Sequence, residues 1–150
     1  MVVCSRRARR ILRRASRKWS RAEARVLPKP SVHALFEEQV YSAPDAVAVV
    51  FSGEQWTYRA LNDRANCLGQ ALLQCGLQRD SLVALGIERS PDFLIGVLGI
   101  LKAGAGYLPL DPNDPPARRR QLLDDAKVRY LVTTKSWPAD VVPGGCRQIR

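Results

Sequence analysis

The chain has 150 residues, 46% of them apolar, and a formal charge of +10, which suits one compact domain or a part of a larger one. No apolar run approaches the ~20 residues that span a bilayer, and the first residues lack the apolar core of a secretory signal. The charge excess sits in one place: residues 1–30 hold eleven Lys/Arg against a single acid, Glu23, whereas residues 31–150 hold thirteen of each sign.

That division predicts two parts, a basic arm over residues 1–30 and a body over residues 31–150. In the arm, Ala8, Ile11, Leu12, Ala15, Trp19, Ala22 and Val26 recur at steps of three and four. As a helix they form one apolar stripe ringed by arginine, and Pro28-Lys29-Pro30 breaks it. Several readings fit this pattern. It suits a helix for an anionic membrane or nucleic acid, and it mimics a transit peptide. It is equally a plain linker or the product of a mis-set start codon.

The body opens on a helix. Val32, Leu35, Phe36 and Val40 share a face, with Ser31 as N-cap. Ala46 to Phe51 reads as a buried strand by length and β-branching, Ser52-Gly53-Glu54 as a turn, and Gln55 to Tyr58 as the returning arm of a hairpin. Thr57 then caps a second helix whose inward face is Leu61, Ala65, Leu68, Leu72 and Cys75. Gly76 ends it, and Leu77 closes the hydrophobic contact beyond the terminus.

Ser81 to Glu88 is the next strand. Ser90-Pro91-Asp92 starts a helix with a cap, a proline in the first turn and an acid at the positive dipole end. This helix, residues 91–103, is apolar all round, which requires cover on several sides. Gly96 and Gly99 each cost ~1 kcal/mol relative to alanine, a cost that close backbone packing offsets. "YLPL", Tyr107 to Leu110, is a strand with a proline inside it, so it should be short or at an edge. A further helix spans "PARRRQLLDDAKV", "RYLVTT" is another strand, "SWPADVVPGG" is loop, and "CRQIR" begins one more strand. Apolar strands alternating with helices predict an α/β fold, a partial Rossmann-like parallel sheet with flanking helices.

The four cysteines, Cys4, Cys67, Cys75 and Cys146, include no C-x-x-C pair and give no zinc signal. Cys67 and Cys75 share a helix about 12 Å apart along its axis, beyond the ~7 Å reach of a disulfide. Reduced, semi-buried thiols in a cytoplasmic protein are expected.

Two stretches resemble core motifs of adenylation domains from non-ribosomal peptide synthetases, relatives of acyl-CoA synthetases and luciferases. "WTYRALNDRAN" is similar to the first motif and "LKAGAGYLPLDP" to the second, which reads L-K-A-G-x-x-Y-x-P-L-D. The resemblance runs over about residues 32–134. It departs at Ala60, where the family carries the glutamate of a capping box, at Trp56, where a leucine is usual, and at Ala105-Gly106, which reverses a common order.

The resemblance implies an AMP-forming enzyme that uses MgATP to activate a carboxylic acid, usually an amino acid. The acyl group then passes to phosphopantetheine on a peptidyl carrier domain. It also implies that the phosphate-binding loop, the adenylating lysine, the Mg²⁺ ligands and the specificity pocket belong to later segments. The catalytic, cofactor-binding and metal residues expected in this chain are therefore none. Each tempting side chain has a structural reading: His33 as a cap or surface residue, Asp111 and Asp114 as turn and cap residues, Lys102 as a cation suited to a helix C-terminus, and Arg118, Arg119 and Arg120 as a solvated face. Expected partners are the remainder of an adenylation domain, its carrier domain, an anionic surface for residues 1–30, and a second copy through apolar surface left bare around residues 91–103. The competing reading is a non-catalytic α/β binding module with a basic arm.

Overall fold

The structure, a computed structural model, describes residues 30–134, 137 and 146–149. The basic arm and Cys4 lie outside the described residues, as does most of the loop after Thr134. In chain order the elements are α1 (Val32–Ser42), β1 (Val47–Phe51), β2 (Glu54–Thr57), α2 (Tyr58–Gln74), β3 (Leu82–Gly86), α3 (Pro91–Lys102), β4 (Gly106–Pro109), α4 (Pro116–Asp125), β5 (Tyr130–Thr133) and β6 (Arg147–Ile149). β1 and β2 form an antiparallel hairpin, and the other four strands form a parallel sheet in the order β4-β3-β5-β6.

Pleating sends alternate side chains of the sheet to two cores. Val83 and Leu85 of β3 and Val132 of β5 meet Leu72, Ile100 and Ala103 on the side of α2 and α3. Ala84 and Leu131 meet Leu110, Leu123 and Trp137 on the side of α4. The all-apolar α3 is sandwiched as its composition demands, with α2 on one side and the sheet on the other.

Its glycines mark the two closest approaches. A Cβ on Gly99 would stand 3.0 Å from the Ala65 carbonyl oxygen and 2.9 Å from Leu68 Cδ2; one on Gly96 would stand 2.5 Å from Leu85 Cδ1. Gly99 therefore lets α3 lie on α2, and Gly96 lets it lie on β3. α2 reciprocates through Gly69, whose Cβ would come within 3.1 Å of the Gly99 carbonyl oxygen.

Three helices end alike. Gly76 at φ +87° follows α2, and the N–H of Leu77 donates to the Leu72 carbonyl at 3.2 Å. Gly104 at φ +79° follows α3, with Ala105 N–H to Ile100 O at 3.2 Å. After α4 the same bond runs from Val128 to Leu123 at 3.2 Å, but the left-handed position is Lys127, at φ +49°. These are Schellman endings, and the third lacks the glycine that makes the conformation easy.

The proline in "YLPL" has a geometric explanation. β4 is an edge strand. The N–H groups of Gly106 and Leu110 donate inward, to Ser81 O and Leu85 O, each at 2.9 Å. Alternation then points the N–H positions of Tyr107 and Pro109 away from the sheet. Pro109 thus removes a donor that no neighbour uses, and it blunts that edge against further pairing.

Three expectations need correction. β1 is not a buried strand: Val47, Val50 and Phe51 are exposed, because a two-stranded hairpin covers only part of one face. The thiols are not uniformly semi-buried, since Cys67 is exposed whereas Cys75 and Cys146 are half-buried. The bare apolar surface is not around α3, where Leu94 is the one large apolar side chain classed as exposed; it lies on α1 and the hairpin, with Val32 67%, Tyr41 92% and Val50 64% exposed.

Candidate functional site

The carboxyl ends of a parallel sheet are where such folds place ligands, above all where the strand order reverses. Here the chain runs from β3 to β4 on one side, then back past β3 to β5 on the other. The reversal therefore falls between β3 and β5. Trp137 closes it on the α4 side: its ring lies so tightly on Gly86 that an added Cβ would stand 2.4 Å away.

A cleft of about 740 Å³ opens beside it, at the ends of β3 and β4. Glu88, Arg89, Asp111 and Asp114 give it charge, and Phe93 and Pro109 give it apolar wall. Local structure already uses much of this rim. Asp111 Oδ1 accepts from the Asn113 N–H at 2.8 Å and from Asn113 Nδ2 at 3.1 Å, holding the turn into α4. Ser90 donates to the Glu88 carbonyl at 3.0 Å, and its oxygen accepts from the Phe93 N–H at 3.4 Å as the cap of α3. Both α3 and α4 begin with proline, which removes one of the orphan N–H donors that an anion would use. Asp114 does not cap α4, whose N-cap is Pro115 with no side-chain bond.

Among the described residues no group of three His, Cys, Asp or Glu side chains comes together. Gly53 and Gly76 stand in turns at φ +84° and +87°, not in a phosphate-cradling loop.

The other singled-out residues lie elsewhere. Lys102 Nζ donates to the Glu37 carboxylate and, at 2.9 Å, to Asn62 Oδ1, with its side chain only 9% exposed. It ties α3 to α1 and α2 and so joins the two motif-bearing segments directly. His33 lines the same pocket as Glu37 and Lys102, about 380 Å³ in volume, and its Nε2 bonds to Ser31 Oγ at 3.0 Å. Nothing there approaches the rim of the sheet.

Arg119 corrects the expectation of a solvated face. It is 3% exposed, whereas Arg118 and Arg120 are exposed. Its Nη1 donates to the Pro112 carbonyl at 3.0 Å, and its guanidinium stacks 5.0 Å from the centre of the Trp137 ring. The signal was in the spacing: Arg119 precedes the buried Leu123 by four residues, on the same helical face.

The perturbed titrations are peripheral. The exposed Asp45 is held below the usual carboxylate range by its hydrogen bond and charge pairing with Arg59 at 3.1 Å. Burial pushes the Cys146 thiol up, which disfavours the reactive thiolate.

Residues 36–148 match the family described as AMP-binding enzyme, and the chain belongs to that family. Within it, the relatives are non-ribosomal peptide synthetases and their adenylation domains. Gramicidin S synthase 2 of Brevibacillus brevis is 48% identical over 103 residues, which is 69% of this chain and 2% of that protein. The non-ribosomal peptide synthetase FmoA3, solved in its AMPPNP-bound form, superposes with a TM-score of 0.80 at 31% identity over 91% of this chain and 15% of its own. The N-terminal subdomain of Klebsiella oxytoca NpsA, solved with 3-hydroxybenzoyl-AMSN, gives 0.72 at 31% identity over 80% of this chain and 30% of its own. NpsA has also been solved as an artificial adenylation–PCP fusion with ThdA, with a TM-score of 0.72 and 31% identity over 79% of this chain and 22% of that one. The chain thus spans part of an AMP-binding region, less than a third of each of these relatives, and they do not favour the binding-module alternative. Among the described residues no helix is long and apolar enough to cross a membrane.

Proposed function

We propose that this chain supplies the N-terminal scaffold of an adenylation domain that activates an amino acid as its acyl-adenylate for peptide assembly. In that reading ATP and Mg²⁺ bind to residues beyond those described, and a carrier domain takes the acyl group on its phosphopantetheine thiol. The body, residues 31–150, works in the cytoplasm and has no reacting groups of its own. It fixes the sheet, its carboxyl-end rim and the helices behind it.

The observation that carries this is the Lys102 tie. Lys102 of the second motif and Asn62 of the first bond to each other behind the sheet at 2.9 Å, away from the rim where chemistry belongs. A transplant tests it. Residues 32–148 replace the matching segment of the gramicidin S synthase 2 adenylation domain, and amino-acid-dependent exchange of pyrophosphate into ATP is measured. Retained exchange supports the scaffold reading. A chimera that folds cooperatively yet exchanges nothing contradicts it.

A further inference from the structure

Arg119 and Trp137 carry more than packing requires. Both are over nine-tenths buried, at 3% and 5% exposure. Arg119 Nε and Trp137 Nε1 are buried N–H donors with no acceptor among the described residues. The guanidinium donates to one carbonyl, that of Pro112, and among the described residues no carboxylate pairs with it. A buried cation is costly unless paired, and the Trp137 ring face offsets only part of that cost. Guanidinium and indole N–H groups donate and cannot accept, so neither side chain can satisfy the other.

The missing complement must be an acceptor, and the uncompensated charge makes it an anionic one. Guanidinium groups match oxyanions in shape as well as charge. We propose that Arg119 and Trp137 form a binding site for a phosphate-class oxyanion, taken up by the Arg119 Nε–H and the Trp137 Nε1–H. The site lies on the α4 side of the sheet. Pro112, which accepts from Arg119 Nη1, also lines the cleft that holds Glu88, Asp111 and Asp114. Free phosphate and the terminal phosphate of a nucleotide offer the same chemistry, and the test separates them.

The full chain is melted in chloride, inorganic phosphate or ATP at matched ionic strength. An anion that binds only the folded state stabilises it by RT ln(1 + [L]/Kd), so the melting temperature rises with the anion's concentration. Phosphate is expected to raise it by several degrees over chloride. Arg119→Leu should melt higher in chloride and lose the phosphate-specific rise. Trp137→Phe keeps the ring, removes the N–H, and should lose about half of the rise. Arg118→Ala, on the exposed face of the same helix, should keep it, which also controls for anions gathered by residues 1–30. A rise with ATP as large as with phosphate assigns the site to a nucleotide's terminal phosphate, and a rise with phosphate alone assigns it to the free anion. No phosphate-specific rise in the natural chain, or an equal rise in Arg119→Leu, overturns the proposal.

Discussion

The two faces of the sheet are built to different standards. On the α2–α3 face, glycines bring backbones into contact, both helices end on glycine, and a buried lysine joins three helices. On the α4 face, a cation sits where an apolar side chain would pack, and the helix ends on Lys127 in a left-handed conformation. The first face carries the helical parts of both family motifs and leaves little room for change; Leu108 and Leu110 of the second motif pack on the other face. The second carries departures from ordinary packing rules. The comparison suggests that the motif segments on α2 and α3 record a packing constraint, since they lie where the helix backbones touch, whereas Pro109 to Pro112 of the second motif line the rim cleft.

The largest expected effect attacks the tight face. Gly99→Val places a branched side chain against the Ala65 carbonyl and Leu68, and overpacking of this kind costs about 3 kcal/mol. Chemical denaturation should show it as a shifted midpoint with an unchanged slope. A loss under 1 kcal/mol would mean that α2 and α3 part easily.

Lys102→Met should cost about 2 kcal/mol, because Glu37 and Asn62 lose a charged donor in a half-buried setting. The cycle with Asn62→Ala sharpens this. The two substitutions break one bond, so their costs should add to more than the cost of the double variant. Additive costs would show that the tie contributes nothing.

Much of this face was legible in the sequence. Caps at Ser31, Thr57 and Ser90, the ending at Gly76, and the sandwiched character of α3 follow from local chemistry, and each cap and ending has its expected bond or angle. Pro109 announced an edge because a missing N–H has one tolerable place. The Lys102 tie was not legible: Glu37 and Asn62 stand 65 and 40 residues away in the chain, and no periodicity links them. β1 misled because β-branching reports strand formation, whereas burial depends on what the rest of the fold lays over the strand. Arg119 was hidden inside a run of three arginines that reads as solvent-facing until the helical phase is counted back from Leu123. The expectation of no catalytic residues rests on the family resemblance, and exchange assays decide it.

The smaller effects lie at departures from local rules and should be stabilising. Lys127→Gly relieves the left-handed position after α4, a gain of about 1 kcal/mol. Ala60→Glu completes the capping box that Thr57 half forms, its oxygen already accepting from the Ala60 N–H at 3.2 Å. That gain is about 0.5–1 kcal/mol. Thermal melts at fixed pH read both, and a loss of stability in either variant would mean that the helix end is held by something other than its cap.

The most direct measurement is amino-acid-dependent exchange of labelled pyrophosphate into ATP by the purified chain alone, with Mg²⁺ and a mixture of amino acids. A scaffold whose reacting groups lie in other segments gives no exchange above a protein-free control. Exchange that depends on amino acid and disappears on denaturation would contradict it, and would place an adenylating site within these 150 residues.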